Sequence, residues 1–333
     1  MFFVHYASYV VHLLCIMLVN TIYVLRKKVV KTIYKAIEEQ AFMRIMNEKT
    51  IVLTIAGSDS GGGAGIEADL KTFAAFGTHG SCAITSVTAQ NSTGVKASFD
   101  LPPIAVTSQI EAVCTDMKLK WAKTGMLAGP EIVKAVAEQT KKFGLFLVID
   151  PVMAASAGGE LLRKEAFWAL KEELLPLCKV ITPNASEAAA LSDLPVKNRE
   201  DAKKAARKIG ELGAEAVIVT GGHLDASDLV YEVAEDRFTL ISGKFIKGGT
   251  HGTGCTYSSA LTAGLAQGLT LVKAAREAKR FVEEAIRYSQ PIGQGEAPVN
   301  PLGAILEQKR RYEVFKSLQE ALARAKKERR LDG

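Results

Sequence analysis

The sequence predicts an α/β fold built on a mostly parallel central sheet with helices on both faces. Three observations predict it. Short runs of apolar, β-branched residues alternate with longer helical patterns from Thr50 to about residue 290. The runs are nearly continuous in hydrophobicity, as strands covered on both faces must be. Glycine, asparagine and aspartate cluster just after these runs, at the strand ends where open α/β sheets bind ligands.

Each element follows from its own stretch. Residues 51–56 form a first strand, ending at Gly57 and opening into the loop 57–65. Apolar positions at Ile66, Leu70, Phe73, Ala74 and Phe76 give the helix after it. Strands are then expected at 82–87, 122–124, 145–149, 180–182 and 216–220. Helices are expected near 104–117, 131–142, 160–174, 185–192 and 199–212. The polar stretch 228–247 reads as a small β-meander, and helices near 255–267 and 271–289 close the body. No internal repeat interrupts residues 46–302, so a single domain is expected there.

The composition excludes several classes. Of 333 residues, 48% are hydrophobic and 23% charged, which is neither a disordered chain, a collagen nor a coiled-coil rod. The net charge of +6 is unevenly placed. Residues 1–45 hold six Lys/Arg against two Glu, and residues 303–333 hold nine Lys/Arg against five Asp/Glu. The body between them is slightly acidic, so a nucleic-acid partner is not expected. Cys15, Cys82, Cys114, Cys178 and Cys255 show no CxxC spacing and are odd in number, which fits a reducing, cytoplasmic setting.

The ends read differently from the body. Residues 1–25 carry no Lys, Arg, Asp or Glu and are long enough to cross a bilayer, with Arg26, Lys27, Lys28, Lys31 and Lys35 directly after. Met43 and Met46 stand just ahead of the first strand, so the competing reading is an upstream extension without a role. Membrane contact is expected only in the first case. In residues 303–333, Phe315, Leu318, Leu322 and Ala325 mark an amphipathic helix.

Two glycine-rich segments carry the chemistry. Residues 57–65 have neither the GxxxxGK[ST] of a P-loop nor a GxGxxG, so they read equally as a strained turn or a ligand loop. Residues 248–255, Gly-Gly-Thr-His-Gly-Thr-Gly-Cys, stand before a helix of small residues. Backbone N–H groups at such a helix start are free to face an anion. Cys255 sits where a helix start lowers a thiol pKa, or is a small buried hydrophobe. Asp150 follows one strand, and Asn184 and Glu187 follow another, one turn apart. Mg²⁺ takes few carboxylates plus water and phosphates, which Asp150 and Glu187 could supply; each residue is as often a helix cap. His251 lies in the second glycine segment, His223 follows a strand, and His79 reads as packing or a cap.

The segments TIAGSDSGGGAGIEADLKTF (54–73), TAQNSTGV (88–95), KTGML (123–127), DPVM (150–153), TPNASEAAAL (182–191), GGH (221–223) and THGTGC (250–255) occur in this order. Together they resemble the hydroxymethylpyrimidine/phosphomethylpyrimidine kinases of thiamine biosynthesis, within the ribokinase-like superfamily, over about residues 48–300. The resemblance implies a ribokinase-like three-layer α/β/α fold, ATP and Mg²⁺ as cofactors, and two successive phosphorylations of 4-amino-5-hydroxymethyl-2-methylpyrimidine. By matching motifs it implies that Gln90 meets the aminopyrimidine edge and that Gly57, Asp69 and Met126 line the pocket, with Val152 nearby. Gly252, Thr253, Gly254 and Cys255 would form the anion hole, and Cys255 stands where other superfamily members carry an Asp base. Asn184, Glu187, Thr220 and Gly222 would face the nucleotide, with Asp150 and Glu187 toward the metal. A homo-oligomer is a family expectation. One departure is Thr220, where the group often has a Lys near the ATP phosphates; Lys247 is a candidate substitute. A pyridoxal-type kinase and a non-catalytic pyrimidine-binding relative are the alternatives.

Overall fold

The protein is described here by a computed structural model, covering residues 50–153, 163–222, 225–303 and 305–307. The apolar stretch 1–25, the stripe at 315–325 and His223 lie outside the described residues. Among the described residues, no helix is long and apolar enough to cross a membrane.

Among the described residues, nine strands form one sheet: β1 (Ile51–Asp59), β2 (His79–Asn91), β3 (Gly94–Asp100), β4 (Trp121–Thr124), β5 (Phe146–Ile149), β6 (Cys178–Ile181), β7 (Ala216–Val219), β8 (Asp228–Glu232) and β9 (Arg237–Ile241). Their order is β3-β2-β1-β4-β5-β6-β7-β8-β9. The strands from β2 to β7 in that order are parallel, while β3, β8 and β9 attach antiparallel at the edges. The helices are α1 (Gly65–Ala75), α2 (Pro103–Asp116), α3 (Pro130–Phe143), α4 (Lys164–Ala169), α5 (Ala185–Ser192), α6 (Arg199–Gly210), α7 (Thr253–Ala266) and α8 (Leu271–Arg287).

β5 shows why the strands read as unbroken apolar runs. Leu147 and Ile149 enter one core with α2, α3, α4 and α6, while Val148 enters the other with α7 and α8. Both faces are dry, so a polar residue on either one would be stranded. Burying each such side chain contributes about 1.5–3 kcal/mol. This gives the three-layer α/β/α architecture expected from the motifs.

Three elements differ from the sequence reading. β1 runs on to Asp59, with a register shift between Ala56 and Ser58 that absorbs Gly57. β2 continues to Asn91 and turns into β3, a strand the pattern of alternation does not reveal because much of it is exposed on the sheet edge. The helix expected near 160–174 is described from Lys164 and widens to a π-turn over Leu170–Leu174. The stretch 228–247 holds the β8–β9 hairpin, which continues antiparallel from β7 as the small meander expected there.

The topology places the site. From β1 the chain passes through α1 to β2 on one side, then returns through α2 to β4 on the other side of β1. The carboxyl ends of β1 and β4 therefore flank a topological switch point, where such sheets leave a crevice.

Candidate active site

The start of α7 is built to be open. Gly252 holds its N-cap position at φ +85°, a left-handed conformation. A Cβ there would lie 1.9 Å from the Gly63 carbonyl oxygen, so only glycine fits. No side chain caps the helix. The Thr253 N–H folds back onto the Thr250 carbonyl at 3.1 Å, leaving the amides of Gly254 and Cys255 for an outside acceptor.

The two glycine segments, far apart in sequence, interlock. A Cβ on Gly63 would strike the His251 ring at 2.4 Å, and one on Gly65, at φ +57°, would strike the Gly57 carbonyl at 2.4 Å. Asp59 organises the first loop by accepting the Gly61 N–H on Oδ1 and the Gly63 and Ala64 N–H groups on Oδ2. The same Oδ2 lies 3.1 Å from His251 Nε2. Burial opposes the charge of Asp59, yet the His251 contact and these three amides hold its pKa below the usual value. The 57–65 segment is thus a tight glycine turn that packs against the loop leading into α7.

Beneath the cradle lies a buried polar network. Lys123 and Asp69 are fully buried and paired, with Nζ 2.9 and 3.0 Å from the two carboxylate oxygens. Thr54 donates to Asp69 Oδ2 at 2.6 Å and Ser259 to Oδ1 at 2.7 Å. One residue earlier on α7, Ser258 donates to Asp150 Oδ2 at 3.0 Å. Two adjacent serines thus key α7 to two carboxylates. Asp69 does not present a free carboxylate to a ligand, because both its oxygens are engaged in this network; it supports the site from below. Burial disfavours the charge of Lys123, but the Asp69 carboxylate beside it, with Asp150 further off, outweighs this and raises its pKa.

Cys255 reverses an expectation. Its place at a helix start predicts a depressed thiol pKa. Burial instead pushes it up to about 12, with Asp69 and Asp150 adding to the rise against the pull of Lys123 and the Gly65 N–H. A helix dipole is worth too little to offset desolvation beside two carboxylates.

On the far side, Asn184 and Glu187 form a reciprocal capping box on α5. Asn184 Oδ1 accepts the Glu187 N–H at 3.0 Å, and Glu187 Oε2 accepts the Asn184 N–H at 2.8 Å. Burial and the nearby Asp150 push Glu187 up to about 8. Burial also raises Asp150. A carboxyl whose ionisation is opposed by burial and by the neighbouring Asp150 fits a divalent cation between protein and phosphate. Among the described residues, no group of three or more His, Cys, Asp or Glu gathers as a closed metal cage. Thr220 bridges to Asn184, and Gly222 faces open space.

At the carboxyl ends of β1 and β4, a Cβ on Gly57 would lie 3.1 Å from Met126 Sδ, and Met126 is pinned by Thr85 donating to its carbonyl. The Val152 N–H donates to the Asp150 carbonyl. Gln90 approaches His251, with Nε2 3.4 Å from the ring Nε2. Lys247 is exposed. His79 is exposed at the start of β2, the end opposite the site. Sequence reasoning missed Asp59, Ser258, Ser259 and Lys123. Lys123 carried a signal, since a lysine inside a short apolar strand is almost never fully buried unless paired.

An uncapped glycine start of α7, with Asp150 beyond the end of β5 against it and Glu187 on the neighbouring α5 start, in a three-layer α/β/α fold, is the arrangement of a ribokinase-like small-molecule kinase. A family model described as phosphomethylpyrimidine kinase matches residues 59–300, and the chain belongs to that family. It is 48% identical over 260 residues to the hydroxymethylpyrimidine/phosphomethylpyrimidine kinase of Haemophilus influenzae, a match covering 75% of this chain and 95% of that one. It is 44% identical over 254 residues to the thiamine biosynthesis bifunctional protein ThiED of Geobacter sulfurreducens, covering 75% of this chain but only 51% of that longer protein. The crystal structure of phosphomethylpyrimidine kinase from Clostridium difficile matches at TM-score 0.64 and 42% identity, covering 71% of this chain and 99% of that one. The Bacillus subtilis pyridoxal kinase in complex with ADP matches at TM-score 0.71 and 36% identity, covering 78% and 100%.

Proposed function

We propose that this chain transfers the terminal phosphoryl group of ATP to the hydroxymethyl group of 4-amino-5-hydroxymethyl-2-methylpyrimidine, and then phosphorylates that monophosphate to the diphosphate. The observation that carries the reading is the uncapped α7 start facing Asp150 and Glu187. It offers backbone donors for a transferring phosphoryl group and carboxylates for a cation on the nucleotide side. Phosphoryl transfer depends chiefly on positioning and charge neutralisation, which this arrangement suits.

In this reading Gly252 sets the backbone turn, and the Gly254 and Cys255 amides, with Thr253 beside them, face the transferring group. A neutral Cys255 thiol adds no negative charge next to that anion, so its role is placement and hydrogen bonding rather than service as a thiolate base. Gln90, Gly57, Met126 and Val152 hold the pyrimidine, with Asp69 supporting through Lys123. Asn184, Thr220 and Gly222 face the nucleotide. Asp150 and Glu187 would hold Mg²⁺, which when bound neutralises phosphate charge. A cytoplasmic location and assembly with a second copy belong to the same proposal; the described cysteines, all free, support a reducing setting.

The test is an ATP-coupled assay with the pyrimidine alcohol and with pyridoxal, resolving mono- and diphosphate products. Both pyrimidine products should form. Turnover of pyridoxal alone would replace this reading with a pyridoxal kinase, and binding without turnover would make the chain a sensor.

A further inference from the structure

His251 is a buried ring with an asymmetric environment. Its Nε2 lies 3.1 Å from Asp59 Oδ2 and 3.4 Å from the Gln90 side-chain amide. Its Nδ1 is buried and has no hydrogen-bond partner among the described residues. These facts fix the proton. A proton on Nδ1 would be a stranded donor, and a bare Nε2 would set a lone pair against the Asp59 carboxylate. Nε2–H therefore donates toward Asp59, and Nδ1 carries the lone pair.

That proton decides which way Gln90 faces. The amide oxygen and nitrogen of a glutamine are told apart only by their partners. An amide NH₂ beside Nε2–H would place two donors together, whereas the amide oxygen can share that one proton with Asp59 as the longer, second acceptor at 3.4 Å. At the other end lies Thr88 Oγ1, 3.3 Å from the Gln90 amide. The single hydroxyl proton of Thr88 goes to the Ser58 carbonyl at 2.9 Å, so its oxygen is free to accept from an NH₂. Both neighbours therefore ask for the same orientation, with the carbonyl toward His251 and the NH₂ toward Thr88. The main chain of Gln90 is also held, since its N–H donates to Ser60 Oγ and its carbonyl accepts from the same hydroxyl. The glycine walls leave the ring no room to turn away, because Gly63 packs directly on it.

We infer that His251, oriented by Asp59, is a specificity-determining positioning residue: it locks the polarity of the Gln90 amide so that the site accepts a 4-aminopyrimidine and rejects the 4-oxo analogue. The chemistry is one of donor order. A 4-aminopyrimidine edge presents a donor (the amine) beside an acceptor (the ring nitrogen), and the 4-oxo edge presents the reverse. A free glutamine can flip to read either. A locked one leaves two donors and two acceptors facing each other when the wrong ring enters, which is discrimination by mismatch rather than by added affinity. The inference rests on the proposed contact between Gln90 and the pyrimidine.

The experiment compares kcat/KM for the 4-amino alcohol and its 4-oxo analogue in the full chain, together with the KM for ATP. His251→Phe keeps the ring volume and removes the donor; His251→Gln keeps an N–H at the reach of Nε2, and His251→Asn does not. The amino-over-oxo ratio should fall by about tenfold or more in His251→Phe and His251→Asn, and return toward the wild-type value in His251→Gln; a loss of kcat or a rise in the KM for ATP common to both rings cancels in the ratio. A ratio that stays at the wild-type value in His251→Phe, or that falls equally in all three variants, overturns the inference while leaving the kinase reading intact. Wild-type protein that turns over neither ring overturns both. Should His251→Phe fail to fold, His251→Asn against His251→Gln separates the same two outcomes.

Discussion

Two helix starts face this site, and they are finished in opposite ways. α5 closes on itself: Asn184 and Glu187 satisfy each other's amides. α7 begins at a left-handed glycine with no side-chain cap. Capping normally stabilises a helix start by about 1 kcal/mol. α7 gives that up at its own N-terminus and is held instead from below, by Ser258 on Asp150 and Ser259 on the Lys123–Asp69 pair. The contrast teaches that the same local feature, a helix N-terminus after a strand or loop, can be spent on stability or kept for a ligand, and that the second choice needs support from elsewhere.

The comparison can be broken by disturbing either start. Lys123→Met should have the largest effect, since it leaves Asp69 buried and unpaired; a loss of about 3–5 kcal/mol is expected in denaturant unfolding. A loss below about 1 kcal/mol would show that the network does not hold α7. Gly252→Ala drives its Cβ into the Gly63 carbonyl, so it should lower the melting temperature and, in the protein that still folds, lower kcat by about 10²–10³-fold, the scale of losing a preorganised backbone donor. An unaltered kcat would place the phosphoryl group elsewhere.

Cys255→Ala keeps the backbone amide and removes only the thiol's packing and hydrogen bonding, so it should lower kcat by about tenfold, less than Gly252→Ala, with little change in substrate KM. In the wild type, alkylation of this thiol should be slow at neutral pH and rise only toward strongly alkaline conditions, as a pKa near 12 requires. Rapid labelling at pH 7 would restore the thiolate.

Glu187 sharpens the comparison through pH. Its folded pKa of about 8 lies above the ordinary 4.5, so the folded state holds a proton that the unfolded chain releases. Stability should therefore fall as pH rises from about 4.5 through 8 and then level off. The melting temperature of Glu187→Gln should lack that slope, and added Mg²⁺ should flatten it in the wild type. A parallel profile in both proteins would remove Glu187 as the source. Asn184→Ala should have the smallest effect, a loss of about 1 kcal/mol in stability with a modest rise in the KM for ATP. A kcat loss as deep as that of Gly252→Ala would erase the distinction between the two starts.

Much of this site was legible one residue at a time. Gly252, Gly254 and Cys255 announced themselves as a glycine-rich helix start, and Asp150, Asn184 and Glu187 as polar residues after apolar strands. Their partners were not legible. Asp59 and His251 are separated by 192 positions, and Ser259 and Asp69 by 190, so no local pattern joins them. β3 escaped because an exposed edge strand carries no buried face to enforce alternation.

By itself the sequence determined the layered α/β architecture and the positions of the glycine turns, because hydrophobic burial and backbone sterics act within a few residues of where they are written. The tertiary structure alone decided charge and proton. Whether Cys255 is a thiol or a thiolate, whether Asp69 touches a ligand or a lysine, and which nitrogen of His251 carries hydrogen all depend on groups that only folding brings together, in surroundings from which water is removed. Electrostatic energies depend on that removal more than on residue type.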